Sequence, residues 1–174
     1  MEFSLARSLE ILGRTPAVLS ALLSDLSEEW ILAKEVGNTW NVKEIVAHLV
    51  ICEQTNWMVR IKIILSDGLK KTFVPIDMHA HFKLAENTSL EKLLKDFNQL
   101  RIDGIDDLKN LNLKESDFNK TGIHPTLGEV YLRELVSTWV THDMSHIAQV
   151  TRIIAKQNKD NVGSFAAFLK ILNT

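Results

Sequence analysis

The chain has 174 residues, of which 45% are hydrophobic and 24% are charged, and its formal net charge is −2. This composition is typical of a globular protein and excludes a disordered or fibrous chain, and the length fits one domain over residues 1–174 that needs no metal or disulfide to fold. Because a basic surface supplies most of the affinity of proteins for nucleic acids, no nucleic-acid partner is expected.

Apolar residues recur at spacings of three and four along most of the chain, a pattern that predicts an almost entirely helical fold. The first helix is expected over residues 3–13, with a continuation to about Leu32. A kink or restart is expected near Thr15, because Pro16 stands where the first turn of a helix tolerates proline.

The second predicted helix begins after Asn41, which forms a capping box with Glu44, and it extends to about Ser66. A connector of about 21 residues, 67–87, then leads to the third helix. An extended chain of this length can return along a whole bundle, in which case the third helix runs parallel to the second.

The third predicted helix begins at Thr88 or Ser89 and passes through Gly104, which is expected to weaken it without ending it. A turn-rich segment, "NKTGIHPTLGE", precedes a fourth helix from near Tyr131 to about Gln157. The stretch "FAAFLKIL" predicts a short final helix. Together these elements predict an all-α protein, a four-helix bundle with a short extra C-terminal helix.

Three features of the sequence predict a cytoplasmic protein with no membrane partner. The single cysteine, Cys52, cannot form an internal disulfide. The first residues lack the basic start and apolar core of a signal peptide, and no run of about eighteen apolar residues could span a membrane.

The stretch "VTHDMSHIAQV" places His142 and His146 four residues apart, on one face of the fourth helix. That face also carries Leu135 and Trp139, so both imidazoles should face the core, where His48 of the second helix could supply a third. Three protein ligands with an open position are typical of a catalytic zinc site, and imidazole also suits nickel, copper and iron. The spacing alone leaves open whether these histidines bind a metal or are hydrogen-bonded core residues.

Neighbouring side chains are candidates for supporting roles. Candidates for orienting a ligand or polarising a bound water are Glu53, Asp143 and Gln149. Candidates for lining a pocket are Cys52, His79 and Trp139. Cys52 could equally be a fourth ligand or a small core residue, and Trp139 could be part of an aromatic core. His79 and the nearby His81 could equally lie on the surface of the connector.

The stretch "HDMSH" also has the spacing of the H-E-x-x-H helix of metalloproteases, in which the acid activates a zinc-bound water. Here the acid is Asp143, which is one methylene shorter than glutamate. The sequence offers no convincing third ligand downstream and no strand-rich edge for an extended peptide. A metalloprotease is therefore kept only as a third hypothesis, after the two that are given below.

Two segments, "WNVKEIVAHLVICEQTNWMVRI" and "GEVYLRELVSTWVTHDMSHIAQVTRII", carry motifs in the order typical of the DinB family, which the chain resembles from Leu5 to about Ala155. The resemblance implies a bundle of up-down-down-up topology and a divalent-metal site formed by His48, His142 and His146. Relatives with assigned activities move low-molecular-weight thiols such as bacillithiol and mycothiol onto electrophiles, or are thiol-dependent isomerases. A bacterial homodimer is also implied.

The resulting hypothesis is a metal-dependent enzyme whose three-histidine site activates a thiol or water for transfer to, or hydrolysis of, a small molecule. A low-molecular-weight thiol is one candidate substrate. Zinc or nickel is the expected metal, with iron or manganese as further options. The alternative is a non-enzymatic bundle in which the metal is structural or a ligand is sensed. Cys52 stands at a position that is usually small in the family and could crowd the site.

Overall fold

The computed structural model describes residues 2–37, 39–68 and 70–173. Within these ranges the chain forms eight α-helices, in the order α1 Leu5–Leu12, α2 Thr15–Leu23, α3 Glu28–Ile31, α4 Val42–Thr55, α5 Trp57–Leu65, α6 Ala80–Asn87, α7 Leu90–Asn110 and α8 Leu132–Lys156. A hairpin of two strands, β1 Thr121–His124 and β2 Gly128–Tyr131, precedes α8. In the described part of the chain, no helix is both long and apolar enough to cross a membrane.

For the first predicted helix, the break near Thr15 is confirmed, but the predicted length is wrong. Helix α1 ends at Leu12 and α2 restarts at Thr15 with proline in its first turn. The expected continuation to Leu32 fails because α2 ends at Leu23 and Asp25 takes a left-handed backbone conformation, with φ of 61°. Only the single turn α3 follows before the second long element.

The second predicted helix begins as its capping signal indicates. The Asn41 side chain accepts a hydrogen bond from the backbone N–H of Glu44, and the Glu44 carboxylate accepts one from the backbone N–H of Asn41, both at 2.8 Å. The helix is interrupted at Asn56, where φ is −112° and ψ is −76°, and it continues as α5 to Leu65. The predicted end near Ser66 is therefore right, although the sequence analysis missed the interruption.

The directions of the helices follow from two hydrophobic clusters. The first cluster contains α2, the first part of α4, the first part of α7 (Leu93, Phe97) and the last part of α8. The second contains α1, α5, the last part of α7 (Ile105, Leu108) and the first part of α8. Helix α7 therefore runs parallel to α4 and α5, whereas α1–α2 and α8 run the other way. The predicted four-helix bundle of up-down-down-up topology is confirmed.

The segments outside the bundle differ most from the prediction. The connector contains α6, whose Ala85 joins the first cluster, and its Phe73 donates a backbone hydrogen bond of 2.9 Å to Ile123 in β1. Gly122 is required beside it, because a Cβ there would lie 2.6 Å from the Phe73 ring. The C-terminal segment is helical as expected, but in the tighter 3₁₀ form, at Gly163–Phe168 and Lys170–Leu172.

Between the two clusters lies a buried ion network centred on Arg101 of α7, whose side chain is 1% exposed. Its guanidinium donates to both carboxylate oxygens of Asp143 in α8, at 2.6 and 3.1 Å, and to Glu53 in α4, at 2.7 Å. It also donates to the carbonyl of Leu12 in α1, at 2.9 Å. One side chain therefore connects all four long elements of the bundle.

Replacing Asp143 with Ala should lower the free energy of unfolding by about 3–5 kcal/mol, because Arg101 would stay buried with half of its carboxylate partners removed. The control is replacement of Asp107 with Ala. Asp107 forms a solvent-exposed ion pair with Lys62, so its loss should lower the free energy of unfolding by about 0–1 kcal/mol. Urea unfolding measures both values. Equal losses in the two variants would contradict the central role of the Arg101 network.

Candidate metal centre

Three histidines converge in the layer between the hydrophobic clusters. His48 projects from α4, and His142 and His146 project from successive turns of α8. The Nε2 atom of His142 lies 3.1 Å from that of His48 and 3.2 Å from that of His146. Three ligands about 2.0–2.1 Å from a tetrahedral metal ion are about 3.4 Å apart, so this spacing fits a single divalent cation.

The surroundings keep these imidazoles neutral, which is the form that binds metals. Burial, together with the smaller effect of the neighbouring histidines, lowers the pKa of His48 and of His142 to about 3. Burial also lowers the pKa of His146. In the described part of the chain, this group of possible metal ligands contains the three histidines and no carboxylate or thiolate.

Of the three candidates for orienting a ligand or polarising a bound water, Gln149 is the one with a hydrogen bond to a histidine of the cluster among the described residues. Its Oε1 lies 3.0 Å from the Nδ1 of His146, one turn earlier on the same face of α8. When the Nδ1–H donates to this oxygen, the lone pair of Nε2 is directed at the other two imidazoles. Gln149 is therefore positioned to fix both the tautomer and the orientation of His146.

Glu53 and Asp143 belong to the Arg101 network and have no hydrogen bond to the three histidines among the described residues. Asp143 is fully buried, and its pairing with Arg101 removes it as the base of a metalloprotease. Glu53 also accepts a 3.0 Å hydrogen bond from the indole of Trp139. Burial raises the pKa of Glu53, against the opposing effect of its hydrogen bonds with Arg101.

Cys52 lies one turn after His48, and its sulfur is 3.5 Å from the Nε2 of that histidine. The side chain is buried, and burial raises the pKa of the thiol to about 12. The sulfur is thus close to the cluster but is held as a neutral thiol.

The connector places its two histidines differently. His79 is exposed at the start of α6, with its ring 6.1 Å from that of Phe82, so its position does not support the expected role in a pocket. His81 is buried, and its ring centroid is 4.2 Å from that of Trp40 and 5.6 Å from that of His48. Alternation alone does not show which side of a connector meets the bundle, so the sequence did not distinguish the buried His81 from the exposed His79.

A cavity of about 290 Å³ adjoins the cluster. Its lining includes His48, His142 and Cys52, together with His124 of the turn-rich segment. It also includes three residues that were not predicted from the sequence, namely Asn56, Arg60 and Phe73. Hairpin residues Leu127 and Val130 complete one wall. The sequence does contain a signal for Asn56 and Arg60, because they continue the series of residues at intervals of four that begins with His48 and Cys52. Trp139 is not in this lining; it packs behind it, stacked 5.7 Å from Trp57.

Comparison with known proteins identifies the fold independently. The sequence model of the DinB superfamily matches residues 11–150. The solved structure of YfiT from Bacillus subtilis, described as "a probable metal-dependent hydrolase with an unusual four-helix bundle topology", aligns with a TM-score of 0.76 at 18% identity, over 88% of this chain and 87% of that chain. At 18% sequence identity, the structural likeness to YfiT establishes the fold of this chain and not its activity. No match is found among curated proteins.

The buried imidazoles of His48 and His142 predict acid sensitivity in chelator-treated, metal-free protein. Their pKa lies near 3 in the folded chain and near 6.5 in the unfolded chain, so stability is complete above about pH 6.5 and falls as the pH is lowered toward 3. Near pH 5 the slope should be about 1.4 kcal/mol per pH unit for each of His48 and His142.

Replacing His142 with Gln should remove its share of this slope, as measured by urea unfolding over a series of pH values. The same replacement at the exposed His79 is the control and should leave the slope unchanged. An unaltered slope in the His142 variant would show that this imidazole titrates normally in the folded state.

Proposed function

Because the chain belongs to the DinB superfamily, we propose that it is a metal-dependent hydrolase of a small molecule, with His48, His142 and His146 as the metal ligands. The observation that carries the proposal is the convergence of three neutral imidazoles, with their Nε2 atoms 3.1 and 3.2 Å apart, beside a cavity. The description of YfiT as a metal-dependent hydrolase of the same fold supports it.

The donor set supports zinc, nickel or iron over manganese, because imidazole suits the first three and manganese prefers oxygen ligands. Three ligands leave a coordination position open, and a cation held in this way lowers the pKa of water or a thiol that occupies it. Gln149 would orient the imidazole of His146, and the apolar walls of the cavity would limit the access of bulk water. No protein nucleophile is needed.

One observation favours a second candidate, a non-catalytic site closed by a fourth ligand. The sulfur of Cys52 lies 3.5 Å from the Nε2 of His48, near enough to reach a cation bound there. Substitution by cobalt(II) separates the two candidates, because a thiolate ligand produces charge-transfer absorption and a water ligand does not. That absorption, and its loss in a Cys52→Ser variant, would identify the closed site.

Protein purified without an affinity tag should contain about one divalent metal ion per chain, and His142→Ala should lose it because only two ligands remain. His79→Ala, which changes an exposed histidine of the connector, should retain the metal. Elemental analysis after dialysis measures all three proteins. Equal metal losses in the two variants would show that the ligand assignment is wrong.

Turnover identifies the reaction. Metal-loaded protein should hydrolyse model esters or amides, and His142→Ala should not. Transfer of L-cysteine to 1-chloro-2,4-dinitrobenzene, without hydrolysis of any ester or amide, would instead assign thiol transfer. Metal retention with neither activity would favour the non-catalytic bundle.

Replacing Gln149 with Leu should weaken metal binding by about 10- to 100-fold, because His146 loses the acceptor that orients it. Gln149→Glu keeps an acceptor and should retain most of the affinity. The control is Gln99→Leu, which removes an exposed amide of α7 that bonds only to Asp103 among the residues described. Competition with a chromophoric chelator measures the affinities, and an unchanged value for Gln149→Leu would exclude the orienting role.

A further inference from the structure

Arg60 is a buried cation that faces the cavity without an anion of its own. Its side chain lies on α5, the residue is 8% exposed, and its guanidinium carbon is 5.0 Å from the centre of the Phe73 ring. Its Nε is buried without a hydrogen-bond partner, and within the described ranges its side chain makes no ion pair. A buried guanidinium in this state is costly to the fold.

The other arginines that the chain buries or half-buries are matched internally. Arg101 binds two carboxylates, and Arg152 pairs with Glu35 at 2.8 Å. Among the lining residues that the structure describes, the single carboxylate is Glu134, whose Oε2 accepts the backbone N–H of Tyr131 at 2.8 Å and caps α8. Glu134 is exposed, and no ion pair among the described residues includes Arg60.

We propose that Arg60 binds a carboxylate of the substrate, so that the cavity selects small, largely apolar molecules with one carboxylate group. The inference rests on the proposed function only in taking this cavity as the substrate site. The planar guanidinium matches a carboxylate through two parallel hydrogen bonds. Asn56, one turn earlier, lines the same cavity and has a buried side-chain oxygen without a partner, so its amide can turn to bind the same group.

The rest of the lining indicates the body of the ligand. Apolar walls from Ile76, Leu127 and Leu135, within about 290 Å³, fit a compact hydrocarbon or aromatic group. A phosphate monoester carries nearly two negative charges, and Arg60 balances only one of them. A single carboxylate is therefore the anion that this cavity fits best.

The test is binding of benzoate to the chelator-treated protein, with uncharged benzamide and with phenyl phosphate as comparison ligands, measured by calorimetry. Wild-type protein should prefer benzoate to both. Arg60→Met should weaken benzoate binding by about 10- to 100-fold, and Arg60→Lys, which keeps the charge without the fork, should be intermediate. Arg133→Met, at an exposed arginine that bonds Asn119, is the matched control and should bind benzoate as the wild type does.

Thermal unfolding separates recognition from a structural role. Arg60→Met should melt at or above the temperature of the wild type, because it removes an unbalanced buried charge, whereas a structural arginine would lower the melting temperature when replaced. A large loss of stability in both Arg60 variants would overturn the proposal. So would unchanged benzoate affinity in Arg60→Met, absence of benzoate binding to the wild type, or tighter binding of phenyl phosphate.

Measuring the metal content of the same samples tests the metal site separately from the carboxylate site. Metal retention by Arg60→Met together with loss of benzoate binding supports both. Benzoate binding that depends on Arg60, in a protein that binds no metal, supports the carboxylate site and rejects the metal-dependent hydrolase.

Discussion

The buried ion network of Arg101 is the interaction on which the geometry of this protein depends. A guanidinium removed from water needs hydrogen bonds in fixed directions, and here its partners come from three other elements of the bundle. Asp143 binds Arg101, and the next residue toward the N-terminus of the same helix is His142. The register that satisfies the buried charge therefore also determines where this imidazole meets His48 of α4. A small rotation of α8 would disturb both contacts at once.

In the layer between the two hydrophobic clusters, the charged side chains lie apart from the three histidines. The ionised groups meet around Arg101, whereas the histidine cluster is neutral, because burial lowers the pKa of His48 and His142 to about 3. Hydrophobic clusters on both sides of the layer exclude water and supply the packing that holds it. Neutral imidazoles held close together by their surroundings lose little orientational freedom when they bind a cation, which favours tight binding.

The sequence predicted the features that depend on local chemistry or on periodicity. The capping box at Asn41, the restart at Thr15 and the face shared by His142 and His146 are each visible within a few residues. The end of α2 was missed because it depends on the left-handed conformation of Asp25, which the periodic apolar residues on either side of it do not reveal. The hairpin was missed because its strands have four residues each, too few for an alternating pattern to emerge.

The roles of the arginines could not be predicted from periodicity, for a different reason. Arg101 falls among the polar residues of a long amphipathic helix, and its burial becomes evident only when Glu53 and Asp143, which are 48 and 42 residues away, are brought to it. Arg60 stands in the series at intervals of four from His48, but no pairing in the structure identifies its role. Its importance lies in a missing partner, which only the assembled cavity makes visible.

The interruption at Asn56 has a consequence for how the cavity is built. In a straight α-helix of 3.6 residues per turn, residues twelve positions apart point about 120° away from each other, so Arg60 would turn away from His48. The irregular backbone of Asn56 corrects this drift, and both side chains line one cavity. Helices α4 and α5 are thus two segments joined at Asn56. Substitutions in α5 can therefore change the end of the cavity at Arg60 while His48 on α4 keeps its position in the histidine cluster.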